Sequence, residues 1–209
     1  MKDDILEIVR QGNIEKFTNV VNSINDERQK QQLKSGFENH MKEIAIFCKN
    51  NFDKNNLTEN FIKNLHKIHY PKWYKKFKKT TSWDWEICTM IPWQYKTLMN
   101  FKWVKPENVK KEMSILIENY NTNIKSTDNK FDLITKFIID FFRIHPFWDW
   151  NWTVAFILYD LLLLNNNLKP LFIKSRYLDT NKKRKIYNSI EKSISENNIS
   201  FFKKSINQN

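Results

Sequence analysis

The sequence predicts an all-α fold; two observations carry that prediction, and another, the scarcity of glycine, is one that no common soluble fold explains. Apolar residues recur at helical spacing along most of the chain. Glycine, which turns and caps normally need, occurs only twice in 209 residues, where ordinary usage near 7% would give about 15. The most apolar stretch, Phe131 to Leu164, reads as two helical runs interrupted at His145-Pro146. These two runs form a central helix-loop-helix.

The elements follow in order. Residues 3–10, 13–24 and 26–50 read as amphipathic helices joined by Asn- and Lys-rich connectors. Thr58 to Lys67 is a further helix, with Thr58 placed to cap its free N–H groups. Pro71 to Val104 is basic and aromatic and keeps no 3.6-residue period, so it is a long loop or hairpin region; it also holds all five Trp that precede residue 110. Pro106 opens a helix to about Asn121, with Glu107 in its first turn. Phe131–Ile144 and Asn151–Leu164 pack as the central hairpin, with Phe137, Phe141, Phe142, Phe156, Ile157 and Leu161 in the core. Lys182 to Ser195 supplies a last amphipathic helix with Tyr187 and Ile190 inward. No internal repeat or interdomain linker is visible.

Charge and composition narrow the function classes. Lys+Arg 35 against Asp+Glu 23 gives +12, and only five of the cations are Arg. That makes a diffusely basic surface. Lys72 to Lys79, interleaved with Tyr74 and Phe77, reads as a solvated face rather than a track for single-stranded nucleic acid, and a nucleic-acid partner is not expected. Cys48 and Cys88 form no metal-binding pair and no disulfide framework, which fits a reducing, cytoplasmic setting. Residues 1–20 carry acids and lack a long apolar run, so no signal peptide is expected. Val154 to Leu164 contains Asp160 and is about half the length a bilayer needs, so no membrane partner is expected.

The chemistry lies in Phe142-Arg143-Ile144-His145-Pro146-Phe147-Trp148-Asp149-Trp150-Asn151-Trp152-Thr153. A His, an acid and an Asn share one loop that enters a helix N-terminus, where free N–H groups and the dipole favour phosphate. His145 can take a proton from a hydroxyl nucleophile, and Asp149 can hold the Mg²⁺ that accompanies a nucleotide phosphate. Together they suggest phosphoryl or nucleotidyl transfer.

Here the sequence resembles the Fic family, whose motif is H-P-F-x-[D/E]-G-N-G-R-x-x-R between two central helices. His145, Pro146, Phe147, Asp149 and Asn151 match, while Trp150 and Trp152 stand at the two glycine places. Leu57 to Lys67, ending Asn64-Leu65-His66-Lys67, is similar to the family's early Leu-x-x-Leu-His-Lys helix, in which the His is a structural anchor. Ile91-Pro92-Trp93-Gln94-Tyr95-Lys96-Thr97 is similar to its Pro-Gly-x-Tyr-Arg element before the substrate flap, again with Trp at the glycine. Tyr187 fits the tyrosine of its closing helix. His40 and His69 have no partner predicted from sequence.

The resemblance implies an all-α Fic-like helical domain at 57–195 with a short β-hairpin flap, an N-terminal helical segment at 1–56 and a C-terminal tail at 196–209. It implies transfer of AMP from ATP to a Tyr, Ser or Thr hydroxyl of a target protein. In that reading His145 is the catalytic base and Asp149 the Mg²⁺ ligand. Phe147, Trp148, Trp150, Asn151, Trp152 and Thr153 are at the nucleotide. Trp93, Tyr95, Lys96 and Thr97 begin the flap that holds the target, the flap itself lying around Lys96 to Lys105. Two arginines of the pattern are absent, with Thr153 and Phe156 in their places, which leaves a phosphotransferase or another phosphate donor open as an alternative. Family members often carry an inhibitory Ser/Thr-x-x-x-Glu-Gly/Asn helix. Lys34 to Asn39 resembles it, making Glu38 the inhibitory candidate; with Phe156 opposite, Glu38 is expected to lack a charge partner.

The tryptophans are the larger departure. An indole cannot replace glycine where a backbone N–H must touch phosphate. If the Trp residues are native, the chain is an inactive Fic-like binding module. Yet all eight, Trp73, Trp83, Trp85, Trp93, Trp103, Trp148, Trp150 and Trp152, fall where glycine is expected or readily placed. That pattern predicts UGA codons at these positions, decoded as glycine by the organism.

Overall fold

In the computed structural model, the described residues are 2–22, 24–53, 56–69, 80–81, 87–88, 95–96, 104–173 and 180–207. They divide into two compact units, one of residues 53–155 and the other of residues 1–52 with 156–209. The first division falls at 52/53, where the sequence predicts a boundary after residue 56. The second falls inside a helix, at 155/156, and not at 195/196.

The unit that includes the N-terminus opens with α1 (Lys2–Asn22) and α2 (Glu27–Asn51), which pack together. α1 is one helix where the sequence predicts two, and Gly12 explains the difference. A Cβ on Gly12 would come within 2.4 Å of Ile157 Cγ1, so this glycine admits a close neighbour and does not break the helix. Asp26 caps α2 by accepting the Gln29 N–H at 2.9 Å. Ile8 and Val9 of α1 and Met41, Ile44 and Cys48 of α2 are buried. Burial pushes the Cys48 thiol up to about 12, which leaves it unreactive at neutral pH. His40 has a neighbour after all, its Nδ1 lying 3.6 Å from the Glu43 carboxylate.

The same unit holds residues 156–165 of α6 (Asn151–Asn165), α7 (Thr180–Ser195) and α8 (Ser200–Asn207). α6 is apolar all round, as a helix buried on every side must be; Phe156, Ile157 and Leu161 are buried as expected. The segment expected as a tail instead contains α8, packed against α7. Phe202 is fully buried with its ring 6.2 Å from Tyr159, and the Ser189 and Ser205 hydroxyls meet at 2.8 Å. α7 turns Ile186, Ile190 and Ser193 inward, while Tyr187, expected inward, is exposed.

Asp160, 4% exposed, holds the segment after α6: it accepts the Leu171 N–H at 2.7 Å and the Phe172 N–H at 3.2 Å. Phe172 has a left-handed backbone, φ 50°, which this carboxylate stabilises. Asp160→Ala leaves two backbone donors without their acceptor and is expected to cost about 3 kcal/mol. Urea unfolding should give a lower midpoint at unchanged slope, with Asp160→Asn in between.

In the unit of residues 53–155, Thr58 Oγ1 accepts the Phe61 N–H at 3.1 Å and starts α3 (Glu59–Ile68) as the sequence predicts. Asn121 clamps the preceding residue, accepting the Leu57 N–H at 2.9 Å and donating to its carbonyl at 2.8 Å. Within the predicted loop or hairpin region, β1 (Thr80–Thr81) pairs antiparallel with β2 (Ile87–Cys88), Thr80 opposite Cys88. This pair lies upstream of the expected flap at Lys96 to Lys105, of which residues 97–103 lie outside the described residues. One 3₁₀ turn at Pro106–Asn108 leads into α4 (Val109–Asn123), which packs on α5 (Lys130–Ile144). Arg143 joins them, bonded to Glu112 at 2.7 Å and to Asp140 at 3.3 Å. Phe137, Phe141 and Phe142 are buried in α5. Among the described residues no helix is long and apolar enough to cross a membrane.

Candidate active site

α5 stops because His145 takes a left-handed backbone, φ 49° and ψ 62°, with its N–H on the Phe141 carbonyl at 2.9 Å. Histidine is among the residues that tolerate this conformation. The chain then turns through Pro146–Trp150 and enters α6, whose first helical bond runs from the Val154 N–H to the Trp150 carbonyl at 3.0 Å.

Three side chains brace this turn. Asn151, 2% exposed, donates to the Phe147 carbonyl at 2.7 Å and accepts the Phe147 N–H at 3.0 Å. His66 donates from Nε2 to the Asp149 carbonyl at 3.2 Å, which fixes its tautomer, and its ring stacks on Phe147 with centroids 3.9 Å apart. Lys96 donates its backbone N–H to the Pro146 carbonyl at 3.0 Å and its ammonium to the Ile144 carbonyl at 3.2 Å. Phe147 is the pin they surround: it is fully buried, with Tyr95 and Phe141 rings at 5.7 and 6.4 Å.

The functional groups sit on that frame. The His145 imidazole is driven down to about 4, chiefly by burial and then by the Lys96 cation, with Asp149 acting the other way. It is therefore neutral at pH 7 and ready to accept a proton. Asp149 is exposed, and its Oδ1 accepts the Trp150 N–H at 2.6 Å. Among the described residues no group of three or more His, Cys, Asp or Glu is arranged to hold a metal ion. A single exposed carboxylate just before a helix start nevertheless fits Mg²⁺, which takes one or two carboxylates from a protein and completes its shell with water and substrate oxygens.

The remaining predicted residues divide. Trp148 and Trp152 are partly exposed, and the Trp152 ring lies 4.8 Å from Phe142. Trp150 has φ 61°, the left-handed region that glycine occupies freely and a bulky side chain does not. Thr153 is fully buried. Phe147, expected at the nucleotide, has no accessible surface and is an anchor of the turn. Asn151, expected as a phosphate ligand, commits its carboxamide to Phe147 and acts as a brace. Trp93 and Thr97 lie outside the described residues. Tyr95 and Lys96, expected at the target-binding flap, pack against the turn. The Tyr95 hydroxyl is pushed up by burial and by Glu59, and the Lys63 ammonium lies 4.2 Å from the centre of its ring. Glu38 belongs to the other unit, where its Oε2 takes the Arg10 guanidinium at 2.5 and 3.0 Å. The expectation that it lacks a charge partner is thereby corrected.

The resemblance makes His66 a structural anchor, and the structure supplies its partner, the Asp149 carbonyl; the bracing role of Lys96 is not visible in the sequence, although Lys96 stands where the family pattern has a cation. His69 also has neighbours: it is buried, bonds to the Leu65 carbonyl at 2.5 Å, and its ring lies 5.8 Å from Trp150.

The Fic/DOC family model matches residues 56–163, just over half of the chain. Among solved structures, a Fic domain containing signaling protein from Bacteroides thetaiotaomicron is similar. It superposes with a TM-score of 0.57 at 18% identity, over 99% of this chain and 84% of that one, a likeness of fold. No curated protein matches the chain.

Proposed function

The chain belongs to the Fic/DOC family, and from that premise we propose that it transfers AMP from ATP to a hydroxyl of a target protein. The observation that carries this reading is the braced turn, which brings a neutral imidazole, an exposed carboxylate and the start of α6 into six consecutive residues, 145–150, and the helix that follows. His145 accepts the proton of a Tyr, Ser or Thr hydroxyl as its oxygen forms a bond to the α-phosphorus. The bond from that phosphorus to the β-phosphate oxygen breaks, and pyrophosphate leaves. N–H groups at the start of α6 and the helix dipole favour the negative phosphate oxygens. When bound, Mg²⁺ held by Asp149 would neutralise charge on the polyphosphate.

A second reading is favoured by one observation. Thr153 and Phe156, at the places of the two pattern arginines, are both buried, so neither offers a charged fork to the β- and γ-phosphates. The donor would then be used as a phosphotransferase uses it, or be a different phosphate compound. Incubation with candidate target proteins and ATP labelled at either phosphorus separates the two. Label from the α-position on protein is the expected result; label from the γ-position alone would establish phosphoryl transfer. Transfer of neither, together with failure to bind ATP, leaves a Fic-like binding module.

A further inference from the structure

We infer that Lys96 is the positioning residue of the catalytic turn, one residue that fastens both carbonyls flanking His145, one through its main chain and one through its ammonium. The Ile144 carbonyl ends α5 and belongs to the terminal set that no later N–H of the helix can reach. A buried ammonium at 3.2 Å satisfies it and meets the negative end of the helix dipole. The Pro146 carbonyl, on the far side of His145, takes the Lys96 N–H at 3.0 Å. With both held from a single residue, the left-handed His145 cannot wind into another turn of α5 without breaking both bonds. Lys96 is 1% exposed, so it is built into the turn and does not lie over it.

The same placement puts a cation beside the imidazole, opposed by the Asp149 carboxylate. Lys96 therefore governs where His145 points and how readily it takes a proton. This deepens the proposed function, since its value rests on His145 being the base. The test below needs no turnover, so failure of the clamp and failure of the transferase reading are separately detectable.

The experiment is an NMR titration of the full chain labelled in its histidine rings, with His145 assigned by His145→Gln. In the unmodified chain its midpoint is expected near 4. In Lys96→Met, which keeps the stem and removes the charge, the midpoint should rise by about one pH unit. In Lys96→Arg it should stay near the starting value, because the cation and its reach to Ile144 are retained. An unmoved midpoint in folded Lys96→Met, or equal movement in both variants, overturns the inference. Should Lys96→Met not fold, the unmodified chain still decides. Burial lowers the Lys96 ammonium to about 8, so a second step in the His145 ring signals is expected when that ammonium loses its proton. Absence of that step overturns the clamp as well.

Discussion

Replacing His145 by alanine is expected to lower transfer of the α-phosphate label by about 100- to 10,000-fold, the range a positioned general base contributes. Binding of ATP should change little, because in the proposed function phosphate is met by the start of α6 and not by the imidazole. The loss is measured as initial rates on the chain as written and on the triple variant Trp148→Gly, Trp150→Gly, Trp152→Gly. An alanine variant with full rate in the more active of these would remove His145 from the chemistry.

The pH dependence gives the same residue a second signature. Its folded-state value is lowered from 6.5 to about 4, so the neutral, proton-accepting form prevails at every pH above that. The acid limb of kcat/KM, which reports the free enzyme, should therefore fall near pH 4 and not near 6.5. The limb of kcat should lie higher, because bound polyphosphate places negative charge near the ring and favours its protonated form. Stability follows the same sign: a histidine held neutral in the native state contributes stability above 6.5, and loses it as pH falls toward 4.

Much of this site was legible because the chemistry is local. The run from His145 to Asn151 is contiguous, and the boundaries of α5 and α6 follow from apolar periodicity broken at His145-Pro146. The Thr58 cap was legible for the same reason, a hydroxyl three residues before the N–H it accepts. What escaped depends on partners distant in the chain. Gly12 reads as a break until Ile157 is seen against it. α8 reads as a tail because its apolar face is only Phe202 and Ile206, too short to register until Tyr159 and α7 cover it. Tyr187 reads as inward because it stands three residues before Ile190, whereas the buried step from Ile190 is the four-residue one to Ile186. Lys96 reads as a residue of the target-binding flap, and only the fold reveals it as buried between two carbonyls. Glu38 likewise acquires its partner through the packing of α1 on α2.

Trp150→Gly and Trp152→Gly should together raise ATP affinity tenfold or more, equivalent to about 1.4 kcal/mol. The two positions differ in kind, and that difference makes the test specific. Trp150 sits at φ 61°, where a side chain costs on the order of 1–2 kcal/mol that glycine does not incur. Trp150→Gly should therefore be close to neutral in stability, since relief of strain offsets the missing packing on the His69 ring. Trp152 lies in the first turn of α6 against Phe142, where no left-handed backbone asks for glycine. Trp152→Gly should cost about 1 kcal/mol in helix propensity, and more as its packing on Phe142 disappears. Both changes bare backbone N–H groups at the start of α6 to an anion, so both should contribute to ATP binding whatever they do to stability. Isothermal titration with ATP and Mg²⁺, beside urea unfolding of each single variant, measures the two effects separately. If the double variant binds ATP no better than the unmodified chain, the indoles do not plug the site. The codons decide the origin of the pattern: UGA at positions 150 and 152 makes glycine the residue the cell inserts, and UGG makes the tryptophans native, in which case failure of the unmodified chain to bind ATP leaves the plugged binding module as the reading that stands.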